Sequence, residues 1–160
     1  MRVLFLVLTL LIPSYVYADN IEGKVIRIID GDTIDVINTV ANASASNKPV
    51  RVRFSNIDAP EKKQAYGSWS AKQLRALLTS DHVNIEYRGT DKYGRILGTV
   101  YVNGINLNRE MVRAGAAWVY TRYNTDYDLP DIQEQARKAR RGLWVDADPV
   151  EPWVWRQKQK

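Results

Sequence analysis

Cysteine is absent from this 160-residue chain. That excludes disulfide staples, thiol nucleophiles and zinc sites built on thiolates. Histidine occurs once, as His82, so chemistry that needs a pair of imidazoles is excluded too. Phenylalanine and methionine are scarce, at two each, which leaves the core to aliphatic side chains. The one long apolar run, residues 3–12 (VLFLVLTLLI), is too short to cross a bilayer comfortably. The sequence shows no internal repeat and no proline- or glycine-rich linker.

The apolar run has a setting of its own. Met1-Arg2 precedes it, Pro13 follows it, and Val16-Tyr17-Ala18 reads as a small-x-small cleavage site. This is the layout of a signal peptide, so residues 1–18 are expected to be removed and the protein exported, to the periplasm or beyond. Residues 19–148 are expected to form one domain, long enough to bury a core without staples. Residues 149–160 read as an aromatic and basic tail, with Arg156, Lys158 and Lys160 at a frayed end. Lys plus Arg total 23 and Asp plus Glu 18, a net +5. That suits an anionic partner without naming it.

The front half alternates as strands do. Residues 24–29 (KVIRII) run into Asp30-Gly31, a hairpin signal. Ile34 and Val36 share a face of the next run. Residues 41–49 are small and polar and read as a loop, which carries the glycosylation pattern Asn42-Ala43-Ser44. Val50, Val52 and Phe54 then share one strand face, and Arg51 and Arg53 the other. Ser70-x-x-Gln73 reads as a capping box that starts a helix through Leu74, Leu77 and Leu78. Val83, Ile85 and Tyr87 alternate as a fourth strand, and residues 96–102 (ILGTVYV) as a fifth, ended by Asn103-Gly104. Two helices follow, over 106–114 and 129–141, closed by Gly115 and Gly142. Five short strands interrupted by a helix, with about three helices in all, predict an α+β chain built on a five-stranded barrel of the OB type.

Three short segments carry chemistry. Asp30-Gly31-Asp32-Thr33 reads alone as a turn. Ile57-Asp58-Ala59-Pro60-Glu61 ends a strand that contains Arg53, and Pro60 stiffens it. Asp91-Lys92-Tyr93-Gly94-Arg95 reads as a connecting turn, or as a basic and aromatic loop that meets a phosphate. Each has a plain structural explanation. Together they assemble carboxylates suited to a hard cation and guanidinium groups suited to a phosphate, the components of metal-dependent phosphodiester chemistry.

In this order the segments resemble the staphylococcal (micrococcal) nuclease family. The resemblance includes IDGDT at 29–33, RFSNIDAPE at 53–61 and DKYGR at 91–95, and continues through LNREMVRAGAAWVY at 107–120 and KARRGLW at 138–144. It implies an OB-fold nuclease dependent on Ca2+ that leaves 3′-phosphate ends on DNA or RNA. It implies that Asp32, Asp58 and the carbonyl of Ala59 hold the calcium. Glu61 would activate water, and Arg53 and Arg95 would grip the scissile phosphate. Asp30 would support the metal from a distance. Lys92, Tyr93 and Tyr123 would contact substrate. The chain departs from the family pattern at Thr121, where a second base-flanking tyrosine is expected, with Tyr120 and Arg122 as neighbours. The loop after Glu61 is also shorter. The expected partner is nucleic acid, with no stable membrane insertion and a monomeric chain. The competing reading is an OB module that binds single-stranded nucleic acid without cutting it.

Overall fold

The computed structural model describes residues 19–39 and 48–159. The expected leader and the pattern Asn42-Ala43-Ser44 lie outside the described residues. The strands are β1 (Asp19–Ile28), β2 (Thr33–Asn38), β3 (Val50–Phe54), β4 (Ile57–Asp58), β5 (His82–Thr90), β6 (Ile96–Val102), β7 (Ile105–Asn106) and β8 (Trp118–Val119). The helices are α1 (Gly67–Leu77), α2 (Leu107–Arg113), α3 (Leu129–Lys138) and α4 (Pro152–Lys158), with 3-10 turns at Thr121–Tyr123 and Gly142–Val145.

Alternation decides which side of each strand turns inward. Val52 and Phe54 are buried on β3 while Arg51 and Arg53 point outward, and Ile96, Gly98, Val100 and Val102 are buried on β6. The main sheet runs β3-β2-β1-β5-β6-β7. A parallel pairing of β3 with β6 closes its first five strands into the expected five-stranded barrel. The remaining pairs are antiparallel. Leu74 of α1 and Leu107, Met111 and Val112 of α2 cover the barrel and are fully buried. β4 and β8 form a separate two-stranded ribbon, with Asp58 opposite Trp118.

Several local expectations are corrected. α1 starts at Gly67, not Ser70, and Tyr66 caps it in the left-handed conformation. Ser70 is inside the helix and fully buried, where its hydroxyl donates to the carbonyl of Ala116 at 2.7 Å. A long-range partner thus took the hydroxyl from its local capping role. α3 stops at Lys138, three residues before Arg141, with Arg140 at φ 50. As far as Gln159, the tail is not a frayed end. It forms α4, whose Pro152 is buried.

Candidate active site

Gly31 makes the approach between the first two acidic segments possible. A Cβ there would lie 1.8 Å from the Ser70 hydroxyl and 2.8 Å from the Ala59 methyl. The β1–β2 corner can therefore sit directly on the segment after β4. Asp30 accepts the N–H of Asp32 at 3.0 Å and shapes the corner. The Ala59 N–H donates to Asp32 Oδ2. Asp32 and Asp58, 26 residues apart in the chain, are both almost fully buried.

Arg53 joins them. Its Nη1 lies 2.8 Å from Asp32 Oδ2, and its Nη2 donates to Asp58 Oδ1 at 2.7 Å. Nη1 also donates to the carbonyls of Phe54 and Ile57 at 3.1 and 3.0 Å. Between those strands, Asn56 takes the left-handed conformation at φ 67. Its carbonyl accepts the Tyr120 N–H at 2.8 Å, and its side chain accepts the Thr125 N–H at 2.9 Å. Asparagine tolerates that backbone region better than most residues, and Asn56 anchors the turn before Asp58 through both its main chain and its side chain.

Burial is the main cause that pushes the Asp32 carboxyl well above its ordinary range, and Asp30 and Asp58 add to it. Arg53 and the Ala59 N–H pull it back. Carboxylates crowded in a low dielectric demand positive charge. The donors here are oxygens throughout, which fits a hard cation such as Ca2+. Asp32 and Asp58 already converge on one cationic group, and the Ala59 carbonyl belongs to the same segment. Among the described residues no group of three or more acidic or histidine side chains is ready to enclose a metal. The fit therefore rests on two carboxylates and the main chain.

Glu61 is half-exposed beside Asp58. Its N–H donates to Gln64 Oε1 at 3.1 Å, and Gln64 Nε2 donates to the Val150 carbonyl at 2.6 Å. The Glu61 loop is thereby tied to the C-terminal segment. Arg156 of α4 completes the cluster. Its Nη1 donates to Glu61 Oε1 at 2.7 Å and to Asp58 Oδ1 at 3.1 Å, and its Nη2 to Asp58 Oδ2 at 2.6 Å. Burial opposes its charge, but the bonds to Asp58 and Glu61 outweigh that and hold its pKa above the ordinary value. Sequence reasoning missed Arg156. No local pattern marks a basic residue in an aromatic tail as the partner of a carboxylate 98 residues away.

Arg95 stands apart from this cluster. Val52 pairs with Ile96 and Arg53 with Leu97, so Arg95 ends the turn that leads into the strand beside the one carrying Arg53. Its guanidinium rests on Asp91, with Nε and Nη2 each 2.8 Å from Oδ2. Asp91 Oδ1 also accepts the N–H groups of Tyr93 and Arg95. These bonds hold its carboxyl below the ordinary value against the opposing effect of burial. Gly94, at φ 76, supplies the left-handed residue the turn needs. Lys92 sits 5.0 Å and Arg95 5.5 Å from the exposed ring of Tyr93.

Tyr123 is also exposed and meets Tyr120 edge-on at 5.0 Å. Tyr120 in turn stacks flat on Trp153 at 5.3 Å and 7°, so its own ring has an intramolecular partner. A hollow of about 780 Å3 is lined by Asn56, Leu97, Thr99, Arg109, Tyr123 and Tyr127, among others. It lies beside Tyr123 and Leu97 and does not include Asp32, Asp58 or Glu61. The perturbed Asp32 carboxyl marks the carboxylate cluster, and not this hollow, as the seat of the chemistry.

A family model described as staphylococcal nuclease homologue matches residues 51–146. The chain belongs to the staphylococcal nuclease family. A protein of Escherichia coli named as an uncharacterized endonuclease is 51% identical over 157 residues, covering 97% of this chain and 98% of its own length. One of Haemophilus influenzae with the same name is 40% identical over 86% of this chain and 74% of its own. A micrococcal nuclease of Shigella flexneri is 37% identical, over 96% and 89%. Membership in the staphylococcal nuclease family supports a hydrolytic nuclease with a nucleic-acid substrate. Among the described residues, no helix is long and apolar enough to cross a membrane.

Proposed function

We propose that this chain is an exported, calcium-dependent nuclease that hydrolyses phosphodiester bonds of DNA, RNA or both and leaves 3′-phosphate ends. The observation that carries the reading is the convergence of buried Asp32 and Asp58 on one positive group, beside a half-exposed Glu61, in a chain of this family. Asp32, Asp58 and the Ala59 carbonyl would hold the ion. Bound Ca2+ would supply charge neutralisation at a phosphate oxygen.

The chain's own groups supply the rest. Glu61 accepts the proton of the attacking water. Arg53 and Arg95 donate forked hydrogen bonds to the phosphoryl oxygens. These bonds strengthen as charge builds on those oxygens, so they act on turnover more than on substrate affinity. In this role Arg95 exchanges its rest position on Asp91 for the phosphate. Lys92, Tyr93 and Tyr123 contact the flanking nucleotide, and exposed rings suit that task. Tyr120 is unsuited to it while it stacks on Trp153.

Export rests on the composition of residues 1–18. A mature N-terminus at Asp19, found by mass spectrometry of the exported fraction, would establish it. The activity is tested with plasmid DNA and single-stranded RNA, each with Ca2+ and with EDTA. Cleavage of either substrate with Ca2+ and its loss in EDTA is the expected result. Binding without cleavage would return the protein to the rival class of OB binding modules, which the exposed Tyr93, Tyr123 and Tyr127 also suit.

A further inference from the structure

The tail helix reaches the centre of the site. α4 is docked and not merely adjacent. Trp153 packs edge-on against Trp118 at 6.0 Å and lies flat on Tyr120. Pro152 is buried, and the Val150 carbonyl receives the Gln64 side chain. One turn beyond Trp153, Arg156 places its two terminal guanidinium nitrogens on the two oxygens of Asp58 and one of them also on Glu61. Arg53 also holds Asp58 Oδ1, so three donated bonds already occupy a carboxylate that offers about four acceptor sites.

We propose that Arg156 is a resident counter-ion of the site that a divalent cation must displace from Asp58. The inference rests on the calcium-dependent reading above. A cation bound at Asp58 and a guanidinium on the same two oxygens would be a close pair of like charges in a site of low dielectric. The two are therefore alternative occupants. The long, flexible arginine stem allows the head to swing outward while Trp153 keeps the helix docked. Until then, Arg156 neutralises part of the charge of Asp58 and Glu61 and holds both in position. An interaction made only without the ion lowers apparent affinity for the ion by its own strength. Arg156 lies outside the 51–146 span matched by the family model, so this control belongs to the C-terminal extension of the domain.

The test uses Arg156→Gln and Arg156→Lys in the full mature chain. Ca2+ affinity is measured by calorimetry without substrate, and melting is followed in EDTA and in saturating Ca2+. Arg156→Gln should bind Ca2+ about 10-fold more tightly, the scale of losing one charge-assisted contact. Arg156→Lys should fall between it and the wild type. Arg156→Gln should melt below the wild type in EDTA, and the gap should narrow in Ca2+. A purely structural arginine would leave the same gap in both conditions, and that result overturns the proposal. Unchanged or weaker Ca2+ binding by Arg156→Gln overturns it as well. If the wild type cleaves DNA with Ca2+ while either of those results holds, the proposal alone fails. If wild type and variant both bind no Ca2+ and the wild type cleaves nothing, the nuclease reading falls with it.

Discussion

Asp32, just before β2, and Asp35, within it, are three residues apart and both almost fully buried, in opposite electrostatic surroundings. Asp35 is a single carboxylate between two arginines. Arg51 Nε donates to it at 2.8 Å, and Arg27 Nε at 2.9 Å. Hydrogen bonding to Arg51 is the largest influence and, with Arg27, holds its carboxyl below the ordinary value against burial. Asp32 shares its corner with Asp30 and Asp58, and burial drives its carboxyl upward. The same residue type, three positions on, thus makes a cation-seeking cluster in one place and a closed ion-pair cluster in the other. The deciding quantity is the local ratio of carboxylates to guanidiniums. A surplus of arginine completes a salt bridge. A surplus of acid leaves a site whose charge balance invites a metal or a mobile counter-ion.

That contrast can be broken from either side. The largest effect is expected on the acid-rich side, at the half-exposed Glu61. Glu61→Gln should lower turnover on DNA by about 10³, within the range for loss of a positioned base, while Ca2+ affinity stays within a few-fold. Near wild-type turnover in single-turnover kinetics would remove Glu61 from the role of base. Next comes Arg95→Lys, at the turn where an arginine rests on one carboxylate. It should lose about 10²-fold in turnover, because a lysine keeps charge but not the fork. An unchanged kcat would reduce Arg95 to the partner of Asp91.

The smallest effect on activity, and the clearest on stability, belongs to the arginine-rich cluster. Asp35→Asn should cost about 2 kcal/mol in denaturant unfolding, since two partly exposed arginines lose a buried carboxylate. Activity per folded molecule should be unchanged. The sign with pH follows from the depressed Asp35 value. Its stabilisation is present above the unfolded carboxylate pKa of about 3.9 and is lost as pH falls through the lower folded value. Melting between pH 7 and pH 2 should therefore fall more steeply for the wild type than for Asp35→Asn. Parallel curves would show that Asp35 contributes no linkage.

Much of the barrel was legible in the chain. The alternation of Val50, Val52 and Phe54 with Arg51 and Arg53 depends only on the period of a strand, and the burial of β3 follows it. Asn103 and Gly104 both adopt left-handed backbone where the turn after the fifth strand was expected. The helix at 107–113 opens on Asn106, whose side chain accepts the Arg109 N–H at 3.1 Å. The misreadings of Ser70, Arg156 and Gly31 share one origin. Ser70 had a local partner on paper but met Ala116 in space. Arg156 looked like a solvated tail charge until α4 docked. Gly31 read as a turn residue, yet what demands glycine there is the close approach of Ser70 and Ala59.

The sequence by itself determined the strand faces, the turn chemistry and the identities of the carboxylates and arginines, because those depend on neighbours a few residues away. The meeting of Asp32 with Asp58 through Arg53, the rest position of Arg95 on Asp91, and the insertion of Arg156 between Asp58 and Glu61 were decided by tertiary structure. Burial and distance set the strength of a charge. Both arise only when segments far apart in the chain close around the same few oxygens.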